Sequence, residues 1–286
     1  MVSGETTLAN DPYLDYCLWP YQSPAAGSGK LRSINLLEHS FSVAAESDEI
    51  SRLTQEIRAG LGEFNTVWGV KKGVQGISWE YYFYDYERLE RQNSISRLLD
   101  ITRSYFLCKL APEELRPYFM FSIDIDDRLA RGQRDLTEIN IYIGNVGSDV
   151  SSGICYSRTE LGLRMDNLYY FFDAQRQMDE VVSKVACSAH LDLPGLDMDK
   201  ILWPELKTCQ TIVVANKKLC DGVYFSRIDV DQLVFFLKKM RYPKNLVAYV
   251  EENRDSLDHL LFDVGIDYVF IDGKIEIIKS AYYGVF

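Results

Sequence analysis

Apolar and polar positions alternate through the stretch Gly-Ile-Ser-Trp-Glu-Tyr-Tyr-Phe-Tyr-Asp-Tyr, residues 76–86. At a period of two, Trp79, Tyr81 and Phe83 point one way, and Glu80, Tyr82, Tyr84 and Tyr86 point the other. Aromatic residues favour strands, and nothing here breaks a strand before Tyr86. One face is greasy enough to pack under a helix. The other carries a carboxylate among three phenols.

The same rule recurs along the chain. In 118–126, Phe119, Phe121, Ile123 and Ile125 alternate with Met120, Ser122, Asp124 and Asp126. In 136–145, Ile139, Ile141 and Ile143 alternate with Glu138, Asn140, Tyr142 and Gly144. These two segments pair as a hairpin, as do 64–72 with 76–86, 153–158 with 163–173, 211–217 with 222–228, and 268–271 with 274–285. The last pair turns at Asp272-Gly273, a strong type I′ signal. In 211–217, Ile212 and Val214 face out, so Val213, Ala215 and Lys217 face in. In the last strand Ile275 and Ile277 set the outer face. That alternation places Glu276, Ser280 and Tyr282 inside, and Lys279 outside unless a bulge shifts the register.

Amphipathic helical segments separate most of the hairpins. Ser47 opens one, with Ile50, Leu53, Ile57 and Leu61 on a single face. Others are expected over 87–108, 175–189, 198–206, 230–240, 243–253 and 256–262, the 230–240 helix opened by Asp229 and Gln232 at capping-box spacing. Open two-layer sheets usually stop at about five or six strands. Ten strands with one apolar and one polar face are better accommodated by closure, which also removes the sheet edges. The expected fold is therefore α+β: a closed ten-stranded antiparallel β-barrel with a polar, solvent-filled lumen and α-helices outside. Residues 1–46, with Pro12, Pro20, Pro24 and the joint at 25–30, read as an irregular arm packing on a single domain over 47–286.

Composition narrows the function. The 286 residues are 47% hydrophobic and 26% charged, as in ordinary globular chains. No apolar run approaches the ~18–20 residues that span a bilayer, so no membrane insertion is expected. The polar start has neither a basic nor an apolar leader region, and six scattered cysteines form no CxxC pair; both point to the cytoplasm. A formal charge of −11 argues against nucleic acid as a partner, yet leaves room for basic residues focused in a pocket. The unusual figure is 19 tyrosines beside 14 phenylalanines.

Motifs of other chemistries are weak. Gly27-Ser28-Gly29-Lys30 lacks the Ser or Thr that completes a phosphate-binding loop, Leu31 standing in its place. The three histidines show no metal-ligand spacing, and Cys187 with His190 has no orienting acid nearby in sequence. Asp124-Ile125-Asp126-Asp127 is an Asp-rich string of the kind that holds Mg²⁺ through carboxylates, Asp124 and Asp126 being its lumen-facing pair; a strand end running into a turn is the competing reading.

Five helix–hairpin units around a ten-stranded barrel, with Ser78-Trp79-Glu80-Tyr81 on the second strand and Cys209 opening and Lys217 closing the seventh, resemble the αββα-barrel aromatic prenyltransferases. That family includes fungal indole, bacterial phenol and cyanobactin peptide prenyltransferases. The resemblance rests on element order over roughly 47–286. It implies transfer of an allylic group from a prenyl diphosphate to an aromatic small molecule or peptide side chain. It also implies no tightly bound cofactor, with Mg²⁺ as an accompaniment of the diphosphate. By position, Glu80 is the proton acceptor. Tyr82, Tyr84, Tyr142, Tyr169, Tyr224 and Tyr282 are candidates to surround the allyl cation. Lys217, Arg164, Lys279, Asn140 and Glu276 complete the expected substrate and diphosphate contacts. The chain departs from the family where Asn140 and Asn167 stand two residues before Tyr142 and Tyr169, at positions that are basic there. Two alternatives remain open: a barrel that binds a small molecule or peptide without catalysis, and another acid–base chemistry using Glu80 and Asp124.

Overall fold

The computed structural model describes residues 4–86, 91–112, 114–145, 150–191 and 197–286. Ten antiparallel strands run as a meander: β1 (Thr66–Gly73), β2 (Gly76–Tyr84), β3 (Tyr118–Ile125), β4 (Ile139–Gly144), β5 (Ser152–Thr159), β6 (Gly162–Asp173), β7 (Thr211–Lys217), β8 (Asp221–Ile228), β9 (Phe262–Ile271) and β10 (Lys274–Val285). Each pairs with its sequence neighbours, and β1 pairs with β10 from Val67↔Val285 to Lys72↔Ser280, closing the barrel. The expected α+β barrel is the observed one.

Alternation sorts the side chains into two cores. Outside the sheet, helices α1 (Ile34–Ala44) and α2 (Asp48–Leu61) cover the apolar face of β1 and β2. Trp79 packs edge-on against Phe41 with ring centroids 5.1 Å apart and donates its indole N–H to Ser40 Oγ at 2.8 Å. Tyr81 bonds Thr54 of α2 at 2.6 Å, so both of these buried polar tips have a partner. α3 (Ile95–Thr102), α5 (Met178–Ala186), α6 (Val230–Lys239) and α7 (Lys244–Glu252) cover the rest, with two short turns, α4 (Asp127–Ala130) and α8 (Arg254–Leu257). The Asp229–Gln232 capping box forms as expected. Among the described residues, no helix is long and apolar enough to cross a membrane.

Several boundaries differ from expectation. The arm is irregular only to Ser33; α1 follows, within a stretch expected to lack helix. The helix expected over 87–108 is shortened to α3, because Ser94 caps its start by accepting from Arg97 N–H at 3.1 Å; residues 87–90 lie outside the described ones. α5 starts three residues later than expected, since Asp173 accepts from the N–H groups of Gln175 and Arg176 and holds them in a turn. The segment expected as one helix over 198–206 is two 3₁₀ turns. β9 begins at Phe262 rather than 268: Phe262, Val264, Ile266 and Tyr268 face the helices, and Asp263, Gly265 and Asp267 face the lumen. In β10 a bulge between Ile277 and Lys279 reverses the facing of everything after it.

Small residues make room for large rings inside. A Cβ on Gly265 would lie 2.2 Å from Tyr224 Cδ1, and one on Gly69 would lie 2.8 Å from Tyr283 Cε1. Both glycines give their space to a lumenal tyrosine. Gly265→Ala is therefore expected to lower stability by about 1–3 kcal/mol, the usual cost of overpacking. The midpoint of urea unfolding measures it; an unchanged midpoint would mean Tyr224 has a second equally good rotamer.

Candidate functional site

The lumen is built in layers along the strands. Nearest the end where the hairpins turn, Lys71, Glu80, Asp124, Asn140, Asn167, Lys217, Asp267 and Lys279 line a polar cavity of about 330 Å³. Lys71 Nζ lies 3.1 Å from Glu80 and 2.5 Å from Asp124. Lys217 Nζ lies 2.5 Å from Asp267 and 2.8 Å from the Tyr224 hydroxyl, and Lys279 reaches the other oxygen of Asp267 at 2.8 Å. Ser122 donates to Glu80 at 2.5 Å, and Glu138 accepts from Ser157 at 2.6 Å.

The next layer is aromatic. Tyr82, Tyr283, Tyr224, Tyr169 and Tyr142 follow one another round the wall, with successive centroids 5.9, 6.4, 6.3 and 6.0 Å apart. Burial pushes all five phenols well above their ordinary pKa, so they stand as neutral hydroxyls. Beyond them lies a smaller chamber of about 80 Å³, walled by Val67, Tyr84, Met120, Phe171 and Val213 and touched by Tyr16 and Cys17 of the arm.

Electrostatics follow from burial and pairing. For Glu80, burial works to raise the pKa, but Lys71, the Ser122 hydroxyl and Lys279 outweigh it and hold the carboxyl well below the usual range. Asp267 is likewise held down to about 2, its burial outweighed by Lys217 and Lys279. Burial opposes the charges on Lys71 and Lys217, yet Glu80 and Asp267 respectively keep both firmly protonated.

The far end is closed by the arm. Asp15 pairs with Arg227 at 2.9 Å and accepts from the N–H groups of Cys17 and Trp19. Asp263 accepts from the Tyr16 N–H at 2.9 Å and the Arg227 N–H at 3.1 Å, while the Arg227 guanidinium goes to Asp15 instead. Burial first, and then the Asp15 carboxylate, push the Asp263 carboxyl up to about 8.

Of the residues singled out in the sequence, Glu80, Lys217, Lys279, Asn140, Tyr82, Tyr142, Tyr169 and Tyr224 meet in the polar cavity or the ring bounding it. Tyr84 lines the aromatic chamber, its hydroxyl donating to the Tyr16 carbonyl. Arg164 stands at the rim, paired with Asp166 at 2.7 Å. Three expectations are corrected. Tyr282 faces outward, edge-on to Trp68 and Tyr242, because the β10 bulge reverses its side; Tyr283 takes the lumenal place and Lys279 turns inward. Glu276 is exposed near the hairpin tip, before the bulge, and does not line the cavity. Asp126 does not join Asp124: it caps α4 through the Leu129 N–H at 2.7 Å and pairs with Arg134. Among the described residues, no group of three or more His, Cys, Asp or Glu side chains is arranged to hold a metal ion. Asp267, Asp263 and Tyr283 were missed by sequence reasoning; the alternation Phe-Asp-Val-Gly-Ile-Asp-Tyr at 262–268 was the signal for the first two. For Tyr283 a bulge had to be known.

The fold and lumen define a closed ten-stranded antiparallel barrel with an ion-paired mouth, an aromatic ring and a plugged floor. No protein-family model and no curated protein matches the chain.

Asp263 generates a pH test. An ordinary aspartate in the unfolded chain titrates near 3.9, so between about 4 and about 8 the folded protein binds the extra proton. Stability is expected to fall as pH rises through that window and to level off above it. Asp263→Asn should flatten this limb in denaturation midpoints measured from pH 5 to 9. Below pH 4 the sign reverses, since Glu80 and Asp267 lose their pairing as they protonate. An unchanged slope in Asp263→Asn would assign the proton to another group.

Proposed function

We propose that the barrel transfers an allylic prenyl group from a prenyl diphosphate to an aromatic small molecule or peptide side chain, as the αββα-barrel prenyltransferases it resembles do. The observation that carries this reading is the five-tyrosine ring lying next to a mouth on which Lys71, Lys217 and Lys279 converge. Lysines are suited to the diphosphate as point charges. Heterolysis of the allylic C–O bond leaves its electron pair on the diphosphate and a cation on the prenyl group. Each tyrosine face stabilises such a cation by roughly 0.5–2 kcal/mol, and the ring as a whole keeps water from it.

The acceptor's nucleophilic carbon or oxygen then forms the new bond, and the proton it sheds goes to Glu80. As it stands, Glu80 is a weak base because Lys71 holds its pKa down. When Lys71 turns to the diphosphate, that influence is withdrawn and burial raises the carboxylate's proton affinity. Donor binding thus prepares the base. Among the described residues the carboxylates form no group of three that could hold a metal; Asp124 would be the oxygen ligand at hand for a Mg²⁺ that arrives on the diphosphate and would supply charge neutralisation.

A second reading has its own observation. The cavity lining carries five cations (Lys71, Arg164, Lys217, Lys218 and Lys279) against five carboxylates (Glu80, Asp124, Glu138, Asp166 and Asp267). That balance favours a neutral or zwitterionic ligand held without chemistry.

Dimethylallyl diphosphate, with and without Mg²⁺, is expected to raise the melting temperature of the full chain. Lys217→Met is expected to weaken that binding about tenfold or more, Asp267 keeping Lys279 as its partner. No stabilisation by any prenyl diphosphate would sink the transfer reading and favour the second. Glu80→Gln is expected to lower kcat by about 10²–10⁴ with donor affinity retained, because Lys71 keeps Asp124. A rate unaffected by this substitution removes Glu80 from the mechanism.

A further inference from the structure

The aromatic chamber has walls from the barrel but a floor from elsewhere. Its walls are lumenal residues of the strands, whereas Tyr16 and Cys17 come from the N-terminal arm crossing the barrel end. The Tyr16 ring stands 5.7 Å, centroid to centroid, from Tyr283 of the tyrosine ring. The chamber therefore extends from the tyrosine layer to the arm, where Tyr16 and Cys17 meet it. Its volume is about 80 Å³. An apolar cavity that takes benzene has roughly 150 Å³, so a five-carbon unit would lie partly within the tyrosine ring and a ten-carbon chain has no room.

The arm is fixed at this place by bonds that do not use the Tyr16 ring. Asp15 holds Arg227 at 2.9 Å; the Tyr16 N–H donates to Asp263, its carbonyl accepts from Tyr84, and the Cys17 carbonyl accepts from Tyr86 at 2.5 Å. Leu18 takes a left-handed conformation at φ 56°, which turns the chain back across the opening. The backbone is thus anchored on three sides, and the ring is free to serve as a filler of defined size.

From this geometry we infer that the arm sets the size of the apolar group the barrel accepts, the Tyr16 ring being the stop that admits one five-carbon branched unit and rejects a ten-carbon chain. The inference rests on the transfer reading for the identity of that group as a prenyl tail. A diphosphate at Lys71, Lys217 and Lys279 leaves the tail only one apolar direction to run, through the tyrosine ring into this chamber. A second isoprene unit would meet Tyr16. Each methylene left in the polar cavity forgoes its burial, about a fourfold loss of affinity.

The test compares dimethylallyl with geranyl diphosphate, and 3-methylbut-2-en-1-ol with geraniol as diphosphate-free probes, by calorimetric titration of the full chain. The wild-type protein is expected to bind the five-carbon member of each pair at least tenfold more tightly, against the intrinsic advantage of the longer chain. Tyr16→Ala is expected to remove or reverse that preference, Tyr16→Phe to retain it, and Tyr16→Leu to fall between them, serving also if Tyr16→Ala loses its cooperative melting transition. An unchanged preference in both truncated variants overturns the inference, as does a wild-type protein that favours the ten-carbon member. If neither diphosphate binds any variant while the alcohols show the expected shift, the stop stands and the transfer reading fails. If the alcohols do not bind either, both fail.

Discussion

A ten-stranded barrel is slightly too wide to be filled by one layer of aliphatic side chains, a condition met at about eight strands. The interior must then be filled by larger groups, or hold water. This chain fills one layer with rings and leaves a polar cavity in the next. Five tyrosines span one layer, and Gly69 and Gly265 leave the space that the Tyr283 and Tyr224 rings require. Phenylalanine would fill the volume equally well. A phenol adds a hydroxyl that meets the polar layer, as Tyr224 does with Lys217 and Tyr169 with Asn167. Barrel width therefore accounts for the five rings of this layer, and the polar cavity for the choice of tyrosine over phenylalanine there.

Pairing across strands solves the second problem, how to keep several charges where burial opposes them. Lys217 and Asp267 are 50 positions apart in sequence and almost fully buried, yet they lie 2.5 Å apart on strands separated by β8. Pairs of this kind are weak sources of stability, because the loss of hydration offsets the attraction. Their consequence is conformational definition and a reserve of charge. Removing one lysine from its carboxylate requires an incoming anion to take its place. The mouth thus favours a ligand that brings negative charge with it, or one that leaves every pair intact.

The sequence was legible wherever structure depends on neighbours in the chain. Trp79–Tyr84 declared its two faces by alternation, the Asp229–Gln232 box declared a helix start, and Asp272-Gly273 declared a turn. Misreadings fell where one residue changes the count or where two expected elements leave a gap. The extra residue in β10 exchanged Tyr282 for Tyr283 and Ser280 for Lys279 inside the lumen, and its one mark in residues 274–285 is the Ile277-Ile278 doublet that interrupts the alternation. A helix expected to end at 262 and a strand expected to begin at 268 left 263–267 between them, which hid Asp263 and Asp267. Partners were the least legible. Lys71 meets Asp124 across 53 positions, and Asp15 meets Arg227 across 212. Such contacts exist only once closure has brought distant strands together.

The arm shows why the two ends of the barrel differ. Strand turns at the mouth satisfy their own backbone groups, so that end can stay open and let its charges meet water. At the other end the strands emerge toward helices and leave carbonyls and amides that need partners. Asp263 of β9 accepts from the Arg227 and Tyr16 amides, and the arm adds one acidic side chain, Asp15, which accepts from the Cys17 amide and pairs with Arg227. Closure at that end buries Asp263 beside the Asp15 carboxylate, and the two effects together push its carboxyl up to about 8. A lumen charged at its open end and apolar at its stopped end has a direction. Any elongated ligand with one ionic and one apolar terminus can enter it one way round only, and its junction must then lie within the tyrosine ring.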